Sequence, residues 1–333
     1  MSALPRTSAE WRDHLATRGP GPTAEAWLLR LAEVDATTQR AALCGLPDTR
    51  ELRHRFQAAW ESRDRPLAGA PFLCKDLYRL SGEAIGAGTR FLAAERGPDS
   101  TDASLPAAFR EDAGAVCVGK TQLNELAFGL SGENPTFGDC PHPRDGSRLS
   151  GGSSSGSAWA VGAGLVPFAL ATDTAGSIRV PATWCGVYGL RLPAGLGTED
   201  IVPLSPGFDS LGWIAGTAED LRLTSEAVLG PVDRPAGRGL WLGDVGASIP
   251  KDVLHAQECL ARDLGAESGG TAGEALRRAL DGGGDAYPIL GSAAAARAHG
   301  ELMERHAGEL DPVVLARLRA GRERTPADLA GAE

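Results

Sequence analysis

Cysteine and aromatic residues are scarce in this chain of 333 residues. Aromatic residues make up 5% of the sequence, and the six cysteines are scattered without any C-x-x-C pair. This spacing lacks the signature of a zinc ribbon or of a thioredoxin-like redox site. The six histidines show no H-x-x-x-H spacing either, so we predict no metal site. We interpret the cysteines as small hydrophobic residues.

An excess of positive charge is also absent. Lysine and arginine total 33 against 43 aspartates and glutamates, a formal net charge of −10. Proteins that bind nucleic acids or anionic membranes need a basic surface, so we expect neither partner. Residues 1–19 lack the apolar segment of a signal peptide, and the weakly polar run 158–171 is too short to span a bilayer. We therefore predict a cytoplasmic location.

Hydrophobic spacing predicts a single α/β domain over residues 1–333. Residues 1–66 form a helical part, in which an apolar stripe indicates a helix starting near Asp48. Residues 67–232 alternate short apolar runs with segments rich in Gly, Ser, Ala and Thr, and residues 233–333 form a further α/β part. This alternation favours a central twisted mixed β-sheet covered on both faces by helices.

Short apolar runs predict the strands, and longer amphipathic segments predict the helices. The predicted strands are 71–74, 115–119, 166–171, 186–190 and 239–242, and all but the last are expected to be buried. The predicted helices after residue 66 are 104–111, 121–128, 251–264 and 292–306.

Two common motifs match by pattern, but their surroundings argue against the corresponding functions. Residues 114–121 fit the phosphate loop G-x-x-x-x-G-K-T, yet the four middle residues form a continuous apolar run that predicts a buried strand. Residues 152–156 fit the nucleophile elbow G-x-S-x-G, which must follow a hydrophobic strand. The preceding segment contains Pro141 and Pro143, so an α/β-hydrolase is not expected.

Two clusters of serine and glycine, 151–157 and 172–177, flank an apolar stretch. Either cluster alone is typical of a flexible turn. Upstream, Lys75 follows the apolar run 72–74, which predicts a buried lysine. A serine hydroxyl becomes a nucleophile when a base removes its proton, and burial lowers the pKa of lysine toward the range where it serves as that base. Together these features argue against two unrelated flexible turns, and serine–lysine arrangements are known variants of the hydrolase triad.

The block 150–190, SGGSSSGSAWAVGAGLVPFALATDTAGSIRVPATWCGVYGL, resembles the amidase signature family. The family hallmark is GGSS(G/S)GS followed by an apolar stretch and then (T/D)D-x-(A/G)GS-(I/V)-R-x-P. Ser153 and Ser177 occupy the two serine positions, and Lys75-Asp76 matches the K-D dipeptide of the family. The resemblance extends from about residue 20 to the end of the chain.

This resemblance implies a role for each residue of the motif. Ser177 is the nucleophile, Ser153 relays its proton from an unusual cis peptide, and Lys75 is the base. The backbone amides of the oxyanion hole are those of Thr174, Ala175, Gly176 and Ser177. Around them, the positions expected to hold the loop and the relay in place are Ser154, Asp173 and Arg179.

The implied function is hydrolysis of a small-molecule carboxamide to an acid and ammonia or an amine, through an acyl-serine and without a cofactor. Family members usually continue beyond the region that ends here at Glu333, so the resemblance implies a C-terminally shortened form of the fold. Two alternatives stay open, the A-type glutaminase subunit of a tRNA-dependent amidotransferase and a catalytically inert homologue that acts as a binding protein. The expected partner is the amide substrate, with a homodimer as the assembly considered.

Overall fold

The computed structural model describes residues 4–231, 240–241, 249–284 and 286–333. Its α-helices are α1 (Ser8–Arg18), α2 (Pro20–Ala32), α3 (Ala36–Ala42), α4 (Thr49–Glu61), α5 (Leu92–Arg96), α6 (Ser104–Ala107), α7 (Ser155–Gly162), α8 (Arg179–Cys185), α9 (Ala218–Leu229), α10 (Lys251–Asp263), α11 (Gly270–Gly283), α12 (Ala286–His306), α13 (Pro312–Arg322) and α14 (Pro326–Ala332). A π-helical turn covers Ala108–Asp112, and 3₁₀ turns cover Glu125–Ala127 and Thr198–Asp200.

The strands are short and fall mostly in the middle of the chain. They are β1 (Leu43–Cys44), β2 (Pro71–Lys75), β3 (Val116–Thr121), β4 (Pro141–His142), β5 (Asp145–Leu149), β6 (Phe168–Thr172), β7 (Tyr188–Arg191), β8 (Leu211–Ala215), β9 (Leu240–Trp241) and β10 (Glu267–Ser268).

Six of these strands form the central sheet, in the order β1-β3-β2-β6-β8-β7. The three strands β3, β2 and β6 run parallel, whereas β1, β8 and β7 pair antiparallel with their neighbours. The parallel strands are buried along their whole length, as expected where helices cover both faces of a sheet. The predicted mixed sheet flanked by helices is thereby confirmed.

Aromatic side chains join these central strands to the segment that packs on them. The ring of Phe72 stacks on Phe168 at a centroid distance of 5.3 Å, and Phe109 lies 5.8 Å from Phe72. Trp213 meets Phe109 edge-on at 5.5 Å, and its indole N–H donates to Thr224 Oγ1 at 2.9 Å. Few aromatic residues are present, but several of them meet in this one core.

The helix predicted near Asp48 is confirmed as α4, and its sequence explains where it begins. The Asp48 carboxylate accepts a hydrogen bond from the Glu51 amide, which satisfies one of the free donors of the first turn. Leu52 and Phe56 are fully buried, so the apolar stripe faces the core. The helical first part of the chain also contains β1, the short strand that pairs with β3.

Two predictions in the middle part are wrong in detail. The segment 121–128 is not a helix, because Thr121 ends β3 and only the 3₁₀ turn Glu125–Ala127 follows, with Leu126 at a φ of 50°. The strand predicted at 186–190 is β7, whose first two residues are exposed because it lies at the edge of the sheet. In addition, β8 has no counterpart among the predicted strands.

The other predicted elements agree with the structure to within a few residues at most boundaries. β2, β3 and β6 correspond to the predicted strands 71–74, 115–119 and 166–171. The helices predicted at 251–264 and 292–306 correspond to α10 and to the larger part of α12. Of the strand predicted at 239–242, residues 240–241 form β9, and Gly239 and Leu242 lie outside the described residues.

Candidate active site

Lys75 is the last residue of β2, and its side chain is completely buried. Its Nζ donates to Ser153 Oγ and to Thr172 Oγ1, each at 2.8 Å. Burial lowers the pKa of Lys75 to about 7, although the negative charges of Asp173 and Asp209 act in the opposite direction. A lysine in this environment is present to a large extent as a neutral amine near pH 7, and a neutral amine can accept a proton.

Ser153 lies just before α7, in a turn that the glycines make possible. The peptide bond between Gly152 and Ser153 is cis. A Cβ atom at residue 152 would lie 1.9 Å from Asn124 Oδ1, so no larger residue fits there without a rearrangement. The backbone N–H of Asn124 donates to the Ser153 carbonyl at 3.3 Å. These contacts hold the serine against the end of β2.

Ser177 follows β6 and precedes α8, and it is 3% exposed. Its carbonyl accepts a hydrogen bond from the Ser154 amide at 3.2 Å, and Ser154 Oγ donates to the Thr172 carbonyl at 3.2 Å. These bonds bring the two serine and glycine clusters together. Within the part of the chain that the structure describes, no hydrogen bond joins Ser153 Oγ to Ser177 Oγ.

Asp173 organises the loop that carries Ser177. Its Oδ2 accepts the Ile178 amide at 3.1 Å, and Arg179 reaches both carboxylate oxygens, with Nε at 3.0 Å and Nη2 at 2.8 Å. Burial would raise the pKa of Asp173, but the hydrogen bonds from Arg179 and from the backbone outweigh it and hold the pKa below its usual value. Asp173 is therefore an ionised anchor for this loop.

The Gly176 amide takes part in the same arrangement. It donates to Asp173 Oδ1 at 2.8 Å, so this predicted oxyanion donor is already used inside the loop. Gly176 has a φ of 135°, which disfavours any residue with a side chain. For Thr174, Ala175 and Ser177, no hydrogen bond from the backbone amide is found among the described residues.

Two polar residues of this site were not predicted from the sequence. Thr172 shares the lysine amine with Ser153, because it ends β6 beside the end of β2. Its position at the end of the apolar run predicted as strand 166–171 is the sequence signal that could have found it. Asp209 is 2% exposed and accepts a hydrogen bond from Thr174 Oγ1 at 2.6 Å. It precedes β8, a strand that the hydrophobic pattern did not predict, and no sequence signal marked it.

The two rejected motifs and the cysteines are also placed by the structure. Most of the phosphate-loop match 114–121 is strand β3, and the G-x-S-x-G match 152–156 follows β5, a strand of the separate two-stranded sheet β4-β5, rather than a strand of the central sheet. All six cysteines are free, and four of them, including Cys74 and Cys117, are buried. Among the described residues, no cluster of His, Cys, Asp and Glu side chains is arranged to hold a metal ion. Within the same ranges, no helix has the length and apolar character needed to cross a membrane.

The part of the chain that contains these site residues is similar in sequence to known proteins. The Amidase family model matches residues 23–238. Amidase 1 from Oryza sativa subsp. japonica is 38% identical over 169 residues, which is 50% of this chain and 39% of that protein. The A-type subunit of glutamyl-tRNA(Gln) amidotransferase from Treponema pallidum (strain Nichols) is 41% identical over 167 residues, which is 50% of this chain and 32% of that protein.

The fold is similar to solved structures over nearly the whole chain. A structure described as a crystal structure of amidase superimposes with a TM-score of 0.81 at 30% sequence identity, and the match covers 98% of this chain and 76% of that chain. The sequence matches to the two curated relatives, in contrast, span less than half of each relative's length.

Proposed function

The chain belongs to the amidase family, and on that basis we propose that it hydrolyses carbon–nitrogen amide bonds through an acyl-serine intermediate on Ser177. The observation that carries the proposal is the buried amine of Lys75, which lies 2.8 Å from the hydroxyl of Ser153. Nucleophilic catalysis by serine requires a base that takes the proton of the hydroxyl, and we assign that role to Lys75 acting through Ser153.

In the proposed first step, neutral Lys75 accepts the proton of Ser153 while Ser153 accepts the proton of Ser177. The Ser177 oxygen then forms a bond to the carbonyl carbon of the amide, the C=O π bond breaks, and the carbonyl oxygen becomes an oxyanion. When the oxyanion collapses, the C–N bond breaks and the proton returns through Ser153 to the leaving nitrogen. Water attacks the acyl-serine by the same proton path and releases the acid.

The developing oxyanion needs preorganised N–H donors, and removing one such donor typically costs about 10²–10³-fold in turnover. We assign this role to the backbone amides of Thr174, Ala175 and Ser177. The Gly176 amide, which the resemblance also implies, is left out because it already donates to Asp173. Arg179 and Asp173 keep the loop in this shape, and Ser154 ties it to the relay segment.

The substrate we propose is a small-molecule carboxamide, which is the simplest amide that these residues can process. A second candidate is the glutaminase subunit of a tRNA-dependent amidotransferase, because the Treponema pallidum relative, at 41% identity, is named as part of such an enzyme. In that case the chain would work beside partner subunits. A single domain over residues 1–333 and a cytoplasmic location stay proposals that rest on the sequence.

Intact-mass analysis after treatment with a fluorophosphonate tests the nucleophile. We expect one adduct on the parent protein, none on Ser177→Ala, and an unchanged adduct on Ser147→Ala, which removes an exposed serine of β5. A folded parent protein without an adduct would refute the proposal. Ammonia release is then measured with glutamine and with simple amides. Release from simple amides favours the small-molecule amidase, and release from glutamine alone favours the glutaminase subunit.

A further inference from the structure

A buried carboxylate outside the predicted catalytic positions contacts the loop that carries the nucleophile. Asp209 Oδ1 accepts the Thr174 hydroxyl at 2.6 Å, and this carboxylate also accepts the amides of Leu204 and Ser205 at 3.0 to 3.1 Å. Both of its oxygens are therefore engaged, and the residue is 2% exposed. Such a fully hydrogen-bonded carboxylate has one defined position.

The segment that holds Asp209 is itself held from the other side by α12. Ser205 Oγ donates to the Gly291 carbonyl at 3.1 Å, and His299 Nε2 lies 2.7 Å from the Pro203 carbonyl. Beside Asp209, the Phe208 ring meets Tyr287 edge-on at 5.3 Å. These contacts at three separate points of α12 limit any movement of the segment that presents Asp209.

Asp173 and Asp209 hold different parts of the nucleophile loop. Asp173 accepts the amides of Gly176 and Ile178, which flank Ser177. Asp209 binds the side chain of Thr174 near the start of the loop. The amides of Thr174 and Ala175, assigned above to the oxyanion, lie in the half of the loop that Asp209 holds.

We propose that Asp209 is a positioning residue for amide hydrolysis, which fixes the oxyanion-binding amides through the Thr174 hydroxyl and places a negative charge near Lys75. This inference rests on the function proposed above. It concerns the geometry of the loop and the charge state of the base, and it assigns Asp209 no contact with substrate.

The charge of Asp209 has a consequence that a purely structural role lacks. The carboxylates of Asp173 and Asp209 both raise the pKa of Lys75, in opposition to the larger effect of burial. The other polar groups on the amine are the neutral hydroxyls of Ser153 and Thr172. Removing the Asp209 charge therefore lowers the pKa of Lys75 and extends its neutral form to lower pH.

The test measures the second-order rate of fluorophosphonate labelling from pH 5.5 to 9 on the full chain. Thr174→Val removes the hydroxyl and leaves Asp209 charged, so we expect a rate about ten- to a hundredfold lower with the acid limb at the parent's pH. Thr174→Ser keeps a hydroxyl and is expected to label faster than Thr174→Val. Asp209→Asn removes the charge, so its rate falls and its acid limb moves to lower pH.

Several outcomes would overturn the inference. Parent-like labelling of Thr174→Val excludes positioning through the hydroxyl, and an acid limb of Asp209→Asn at the parent's pH excludes the effect of charge on Lys75. If Asp209→Asn does not fold, the comparison of Thr174→Val with Thr174→Ser decides the positioning role: equal labelling rates in these two variants overturn it, and faster labelling of Thr174→Ser supports it. A parent protein that never labels refutes the proposed function and this inference together, whereas a labelled parent with unaffected variants refutes this inference alone.

Discussion

The titration of Lys75 makes a quantitative prediction for the reactivity of Ser177. With a pKa of about 7, the amine is about one-tenth neutral at pH 6, half neutral at pH 7 and nine-tenths neutral at pH 8. If neutral Lys75 is the base, the rate of fluorophosphonate labelling rises about tenfold between pH 6 and pH 8 and then levels off. A lysine with an ordinary pKa of about 10.4 would instead give a rate that keeps rising about tenfold per pH unit beyond pH 8.

Substitution of Lys75, the proposed base, tests the same reasoning at a fixed pH. In Lys75→Arg the guanidinium stays protonated and cannot accept a proton, so we expect labelling at pH 8 to fall by about 10²–10⁴-fold, the usual contribution of a general base. Lys251→Arg is the matched control, because Lys251 is exposed at the start of α10. Its labelling rate should equal that of the parent.

Two results would refute this account of the base. One is a labelling rate that is independent of pH between 5.5 and 8.5 on a protein that stays folded across the range. The other is a Lys75→Arg variant that labels at the parent rate. Thermal unfolding measured at each pH separates a loss of base catalysis from a loss of folded protein.

Three further predictions concern stability and are measured by chemical denaturation. Burial raises the pKa of Glu125 from 4.5 to about 7, and its Oε2 has no hydrogen-bond partner among the described atoms, so Glu125→Gln should stabilise the protein at pH 8 by about 1–3 kcal/mol. Between pH 4.5 and 7 the folded parent keeps the Glu125 carboxyl protonated while the unfolded chain releases that proton, so the stability of the parent falls as pH rises through this range. An equal stabilisation by Glu125→Gln at pH 4.5 and at pH 8 would contradict this assignment. The Lys120 ammonium lies 2.6 Å from the buried carboxylate of Asp76, so Lys120→Met leaves that charge without its partner and should lower the free energy of unfolding by about 3–5 kcal/mol. Adding Asp76→Asn should restore part of this loss, whereas a loss below about 1 kcal/mol would show that the pair is hydrated. Phe109→Ala should cost about 3–5 kcal/mol because Phe109 contacts three other aromatic rings, and a loss below about 1 kcal/mol would mean that the core closes around the cavity.

Elements built from strong local patterns were predicted well. The apolar runs that became β2, β3 and β6 are buried on both faces, so nearly every residue in them carries the signal. The edge strand β7 also has a local pattern, but its exposure depends on its place in the sheet. The segment 121–128 failed as a helix because its backbone turns sharply at Leu126 to meet the rest of the fold.

The candidate site shows the same division. The resemblance of residues 150–190 and of Lys75-Asp76 to the amidase signature motifs supplied Lys75, Ser153 and Ser177 as candidates, and the apolar run before Lys75 predicted its burial. The engagement of the Gly176 amide by Asp173 was not predicted, because it depends on the detailed path of the backbone through the loop. Thr172 and Asp209 were not predicted either.

The sequence by itself determined the three parallel strands of the core, β2, β3 and β6, and the short motifs that contain the candidate side chains. Only the tertiary structure decided which of those side chains meet. Lys75 and Thr172 are 97 residues apart, and they touch because β2 and β6 pair in parallel and end at the same edge of the sheet. Asp209 reaches Thr174 because the segment before β8 returns to that edge and α12 holds it there. Contacts of this kind come from strand pairing and packing, which residue spacing along the chain does not encode.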